Sequence, residues 1–264
     1  MVRALWKHRD LTWQFAGRFF HARYRGTYLG IVWALANPLL MLGVYTFIFN
    51  YVFAARYGTD PTETRSQYAV ILFCGITVYA LFSETVVRSC GLVLDNPNYV
   101  KKVVFPLEVL PVAGLLSSVM FSLFGLGLVI LGTWIYFGHV PWTVVLTPLV
   151  LLPAVALGLG LSWFLASLTV FVRDAANLAV IVISQLLLFL TPIFYRVDNL
   201  PENLRWVGAV NPLAPVVESA RRVMIFGRQP EWEALGVSLI IGLGAMQLGY
   251  AWFVKSKRGF ADVL

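Results

Sequence analysis

Apolar and charged positions separate along this chain on a scale far longer than one helical turn. From Leu29 to Ala54 no charged residue occurs, and the polar interruptions are only Asn37, Tyr45, Thr46, Asn50 and Tyr51. A helix needs roughly 20 apolar residues to cross a hydrocarbon core, whereas a soluble helix of this length would carry a polar stripe. Further apolar runs cover 68–92, 107–137, 144–172, 178–195 and 234–254. The pattern predicts an all-α, polytopic membrane protein with six transmembrane helices per subunit, forming a single membrane domain over 1–264.

The segments between these runs differ in kind. Within residues 1–28, Lys7, Asp10, Gln14, Arg18, His21 and Arg25 recur at steps of three or four. Trp6, Trp13, Phe15, Phe19, Phe20 and Tyr24 fill the remaining arc. This is an amphipathic interface helix lying in the membrane plane. It serves either as a flank that anchors the first span or as a surface docked by a cytoplasmic partner. The connection from Asp95 to Ala113 is basic, and Arg173-Asp174 is a very short charged turn. Residues 196–232 hold only short apolar runs, broken by Pro201 and Pro212. They predict a re-entrant outer helical hairpin between the fifth and sixth spans. Lys and Arg are in excess in the even-numbered connections and the two ends taken together, so both termini are expected in the cytoplasm.

Composition narrows the class. The chain is 59% hydrophobic and 12% charged, with mean hydropathy +0.77; ordinary globular domains carry about 25% charge. The formal net charge is +7. Because that charge is spread over loop ends, it points to anionic lipid and not to nucleic acid. Cys74 and Cys90 both fall in one apolar run and read as small core residues. Met1–Tyr28 lacks the layout of a cleavable signal, so this segment is expected to be retained.

Bond-making chemistry has few candidates. No GxxxxGK[ST] occurs, so ATP is not bound through a P-loop. His8, His21 and His139 are scattered. Glu84 and Glu108 are the acids near the spans, too few for a proton relay, and Glu84 can pair with Arg88 at i,i+4. Asp198, Glu202 and Glu218 match no known site. Aromatic residues, by contrast, are abundant. Trp33, Asn37, Met41, Tyr45, Phe49 and Phe53 are spaced by four on one drifting face, and Gln185, Phe189, Pro192 and Tyr195 sit similarly on the fifth span. Such faces either pack against helices and lipid or line a conduit in which sugar rings stack while their hydroxyls stay hydrated.

Several ordered motifs then resemble a known family, the ABC-2 type exporter permeases. They are Arg23-Tyr24-Arg25-Gly26-Thr27 with Leu29-Gly30 and Trp33, Lys101-Lys102-Val103-Val104-Phe105-Pro106 with Glu108 and Leu110-Pro111, Arg173-Asp174, Thr191-Pro192, Leu200-Pro201-Glu202 and Asn211-Pro212. Together they resemble the branch that exports O-antigen, capsular polysaccharide or teichoic acid. The resemblance implies a homodimer in the bacterial inner membrane, moving a lipid-linked glycan. Two copies of a separate cytoplasmic ATPase would hold the ATP and Mg, with no cofactor on this chain. It also implies contact with that ATPase through Arg18, Arg23, Arg25, Asp95, Lys101, Lys102, Arg173 and Asp174. Trp33, Tyr45, Phe49, Phe189 and Tyr195 are the expected conduit residues. The alternatives are an ABC-2 exporter of a lipid or small lipophile, a membrane-embedded glycolipid-modifying enzyme, and a membrane scaffold.

Overall fold

The computed structural model describes residues 6–23, 25–48, 64–101, 105–195, 197, 201–204 and 206–263, with backbone only at 65, 204, 207 and 209. Phe49 and Lys102 lie outside the described residues. Among the described residues the chain is helical throughout, without a strand. In chain order the helices are α1 (Arg9–Ala22), α2 (Trp33–Phe47), α3 (Arg65–Ser89), the short α4 (Pro97–Lys101), α5 (Val109–Phe137), α6 (Thr147–Phe171) and α7 (Asp174–Leu190). They continue with α8 (Trp206–Val210), α9 (Ala214–Met224), α10 (Trp232–Ser256) and α11 (Phe260–Val263).

Local chemistry sets several of these ends. Thr64 accepts from the Gln67 amide while the Gln67 side chain accepts from the Thr64 amide, a capping box that starts α3. α7 stops at Leu190 because Pro192 drives Thr191 into extended backbone. Its middle, Val180–Leu186, is wound as a wide π-type segment, a form that often marks functional positions.

Five helical stretches among the described residues are long and apolar enough to cross a membrane; they include α2, α3, α5, α6 and α10. α7 is apolar but shorter. Their directions follow from which residues meet. Arg88 reaches Ser117, and Val70 covers Gly132, so α3 and α5 are antiparallel. Ser162 donates to the Thr85 carbonyl at 3.2 Å and Thr169 to that of Cys90 at 2.7 Å, so α3 and α6 are parallel. α6 and α10 are also parallel: Gly242 lies against Pro153, Gly249 against Gly160, and Phe164 against Trp252. At Gly160 and Gly249 the two backbones touch so closely that neither position has space for a Cβ. This is the small-residue contact expected when helices associate in lipid, where apolar burial supplies no drive.

α7 runs against α3. Tyr79 donates to the Ile183 carbonyl, and Tyr68 to that of Phe194 at 3.2 Å. It thus carries the chain from the end of the bundle where α6 finishes to the end where α10 starts. The ion pair expected between Glu84 and Arg88 takes another form. Glu84 closes on Arg23, while Arg88 donates to the Phe19 carbonyl at 2.9 Å and to Ser117. The incoming α1 offers both groups better partners than their own helix does. Cys74 and Cys90 are buried free thiols.

Candidate functional site

One end of the bundle gathers the N-terminal helix, the basic connection and the C-terminus. α1 buries Thr12, Phe15, Ala16 and Phe19, and Phe20 stacks on Phe121 of α5 at 4.6 Å. Asp10, Gln14, Arg18 and His21 are exposed on its other face, and Lys7 is exposed just ahead of it. Below it, Phe15, Tyr99 and Phe105 form a ring box with centroids 4.8 to 5.4 Å apart. Arg18 closes the box, donating to the Tyr99 hydroxyl at 2.7 Å and lying over the Phe15 ring. α4 is therefore fixed to α1 through aromatic contacts and one charge-assisted hydrogen bond.

The expected partner-contact residues divide in this setting. Asp95, Lys101, Arg173 and Asp174 are exposed around the same end, and so is Arg25. Arg23 instead turns into the bundle, pairs with Glu84 and lies over the Phe121 ring at 4.3 Å. The sequence reading missed the contribution of the C-terminus. Phe260 is fully buried against Phe171 and Phe253, α11 touches α4, and Lys257 bonds Glu108 at 3.1 Å. Phe260 and Val263, apolar residues placed beyond a basic stop sequence, were the available signal.

At the opposite end the chain is held by a buried arginine. Arg221 lies within the polar 196–232 segment, yet it is 0% exposed. Its guanidinium donates to the carbonyls of Ile71 at 3.3 Å, Pro192 at 3.0 Å and Ile193 at 2.6 Å, with Glu218 at 3.5 Å. A Cβ on Gly75 would stand 2.8 Å from Nη2, so glycine at 75 makes room for the group. Asn211 adds a second brace, donating to Thr191 Oγ1 at 2.9 Å. Buried non-helical backbone needs its polar groups satisfied, and these two side chains do that for the break after α7. The i,i+3 pair Glu218-x-x-Arg221, set among Val216, Val217, Ala220 and Val223, was the sequence signal.

The expected conduit residues fall on two different helices. Trp33 and Tyr45 are half-buried on α2, and Tyr45 packs against the main core. Phe189 is 65% exposed on α7 and stacks on Phe194 at 5.4 Å. Half-buried Tyr195 donates to the Leu190 carbonyl at 3.2 Å. The structure thus gathers Phe189, Phe194 and Tyr195 at the end of α7 and leaves the α2 pair separate. The acids nearest the spans, Glu84 and Glu108, are both held in ion pairs. The arrangement offers an aromatic box ringed by exposed charge at one end and a braced backbone break with exposed rings at the other.

Comparison with known proteins follows the same lines. The profile of the family described as ABC-2 type transporter matches residues 10–225. The chain is 27% identical over 260 residues to a protein from Klebsiella pneumoniae named O-antigen export system permease protein RfbA, covering 97% of this chain and 95% of that one. It is 28% identical over 267 residues to a protein of the same name from Myxococcus xanthus, covering 99% and 98%.

Proposed function

Because the chain belongs to the ABC-2 type transporter family, we propose that it is the transmembrane subunit of an ATP-driven exporter for a lipid-linked polysaccharide. Two copies would line the path, and two copies of a separate cytoplasmic ABC ATPase would drive it. The observation that carries this reading is the shared end built from α1, α4, the Arg173-Asp174 turn and α11, where exposed cations surround an aromatic box. It is a braced docking surface on a chain whose sequence holds no P-loop. The substrate class follows the two named relatives, which align along nearly their whole length.

The parallel packing of α6 and α10 supports six crossings. Two helices that run the same way need one return between them, and α7 is the element placed to make it. Its roughly 25 Å of helix is short but within the range that spans a bilayer. α8 and α9 would then form the outer hairpin. The cation-rich end would face the cytoplasm, with both termini there, in the bacterial inner membrane.

In the proposed cycle, ATP closes the partner dimer and the motion enters through α4 and the Arg173-Asp174 turn. α2 and α7 then shift, and the glycan slides past their aromatic faces. The purified chain alone is expected to hydrolyse no ATP, and deletion is expected to trap glycan in the cytoplasm. Hydrolysis by the chain alone, or normal surface glycan after deletion, would overturn the proposal.

A further inference from the structure

Between α2, α3 and α5 lies a cavity of about 270 Å³. Its wall changes character along its length. Arg23 and Glu84 stand at one end, and Met41, Phe73 and Ile76 are at the other. From Glu84 to Phe73 along α3 is roughly 16 Å, about half the thickness of a hydrocarbon core. The cavity therefore grades from charged to apolar over the depth of one leaflet.

Two further observations point to a polar-headed occupant. Ser118 on the cavity wall is buried, and its hydroxyl has no hydrogen-bond partner. In α2, Pro38 cannot return an N–H to the Ala34 carbonyl, and both residues line the same wall. Charge adds a third: Arg23 pairs with the single carboxylate of Glu84, and Arg88 follows one turn further along α3. If an incoming anion took Arg23, Glu84 would pass to Arg88 at i,i+4, and every charge would stay paired.

We infer that this cavity is a binding site for a phosphate-headed lipid from the leaflet on the Arg23 side. The phosphate sits against Arg23, a head or ester oxygen accepts from Ser118, and one hydrocarbon chain runs between Met41, Phe73 and Ile76. The site is separate from the aromatic faces of the proposed glycan path. It rests on the chain being membrane-embedded and is independent of what is exported. A membrane phospholipid and a polyprenyl phosphate share this chemistry, so the experiment includes both.

The full chain is placed in phosphatidylcholine nanodiscs containing phosphatidic acid with a photoreactive chain. Labelling is expected at Met41, Phe73 or Ile76. Diacylglycerol with the same chain but no phosphate labels less by roughly tenfold, the size of one lost charge-assisted hydrogen bond. Arg23→Gln lowers phosphatidic acid labelling to the diacylglycerol level. Ala80→Phe, at an exposed position on the cavity wall, fills the space and removes labelling while keeping both charged side chains, so it decides the matter if Arg23→Gln fails to fold. Unlabelled phosphatidylglycerol and unlabelled polyprenyl phosphate then compete for the site, and the one that displaces the probe at the lower mole fraction is the source. Equal labelling by both probes, indifference to Ala80→Phe, or competition by neither lipid overturns the inference. Because the readout needs no ATPase and no glycan, its failure would leave the export reading standing.

Discussion

α3 and α2 are neighbours with similar hydropathy and opposite fates. In α3's most apolar window 72% of residues are buried; in the segment containing α2 the figure is 6%. Both are apolar enough to sit in lipid, so exposure by itself costs α2 little. What separates them is specific contact. α3 is tied by Tyr68, Tyr79 and the Thr85 and Cys90 carbonyls to α7 and α6, and Arg221 grips it at Ile71. α2 buries only Ala34, carries Pro38 in its interior, and leaves Leu35, Leu39, Leu40, Met41 and Val44 exposed. α7 resembles α2, with Leu178, Ile181, Leu186 and Phe189 exposed. The lesson is a division of labour. The block of α3, α5, α6, α9 and α10 is specified by hydrogen bonds and close backbones, and α2 and α7 leave much of their apolar surface uncovered.

The largest test of that division is Arg221. Arg221→Met leaves three buried carbonyls without their donor and should cost about 3 kcal/mol or more. Arg221→Lys should not rescue it, because one ammonium cannot reach carbonyls on both α3 and the 192–193 segment as a planar fork does. Thermal unfolding of the purified chain in detergent measures both. A loss no larger than that of an α2 surface substitution would abolish the distinction. Next in size is Gly249→Leu, which drives a side chain into the Gly160 backbone and should cost about 1–3 kcal/mol. Gly244→Leu on the same helix faces open space and should leave the melting temperature unchanged. Equal effects at the two positions would mean that the α6–α10 seam is not the block's close contact.

How far the sequence reached follows the same boundary. Charge-free runs disclosed the helical membrane class, because a span is a bulk property that survives any detail of packing. The exposed polar stripe of α1 was legible too, since Asp10, Gln14, Arg18 and His21 obey one period. Arg221 was not, because an arginine in a polar loop and one buried under carbonyls look alike until the chain is folded. The partner of Glu84 was missed for a related reason. The i,i+4 rule ranks Arg88 first, and only the entry angle of α1 brings Arg23 closer. Of the aromatic stripe on α2, spacing gave a shared face but not what that face meets. Asn37 and Met41 line the cavity while Tyr45 packs on the core.

A thinly packed surface should respond in function before stability. Phe189→Ala removes a largely exposed ring and its stack on Phe194. It should cost about 1 kcal/mol or less, yet lower surface glycan severalfold in cells if α7 lines the path. Immunoblots of surface polysaccharide beside a melting curve give both numbers. A stability loss matching that of Arg221→Met, with export intact, would move α7 into the packed block.

The smallest effect expected is at Lys257, where the comparison is sharpened instead of broken. Its ammonium bonds Glu108 at 3.1 Å, with the lysine side chain 34% exposed and the glutamate 11%. A pair open to solvent on one side is screened, so Lys257→Gln should cost no more than about 1 kcal/mol, and less at high salt. Phe260, fully buried beside it, does the anchoring by apolar contact. Lys257→Gln should therefore leave the tail as resistant to carboxypeptidase as in the parent chain, whereas Phe260→Ala should release it. If the lysine change alone frees the tail, the ion pair, not the ring, ties α11 to α4, and that end is held electrostatically where the rest of the block is held by packing.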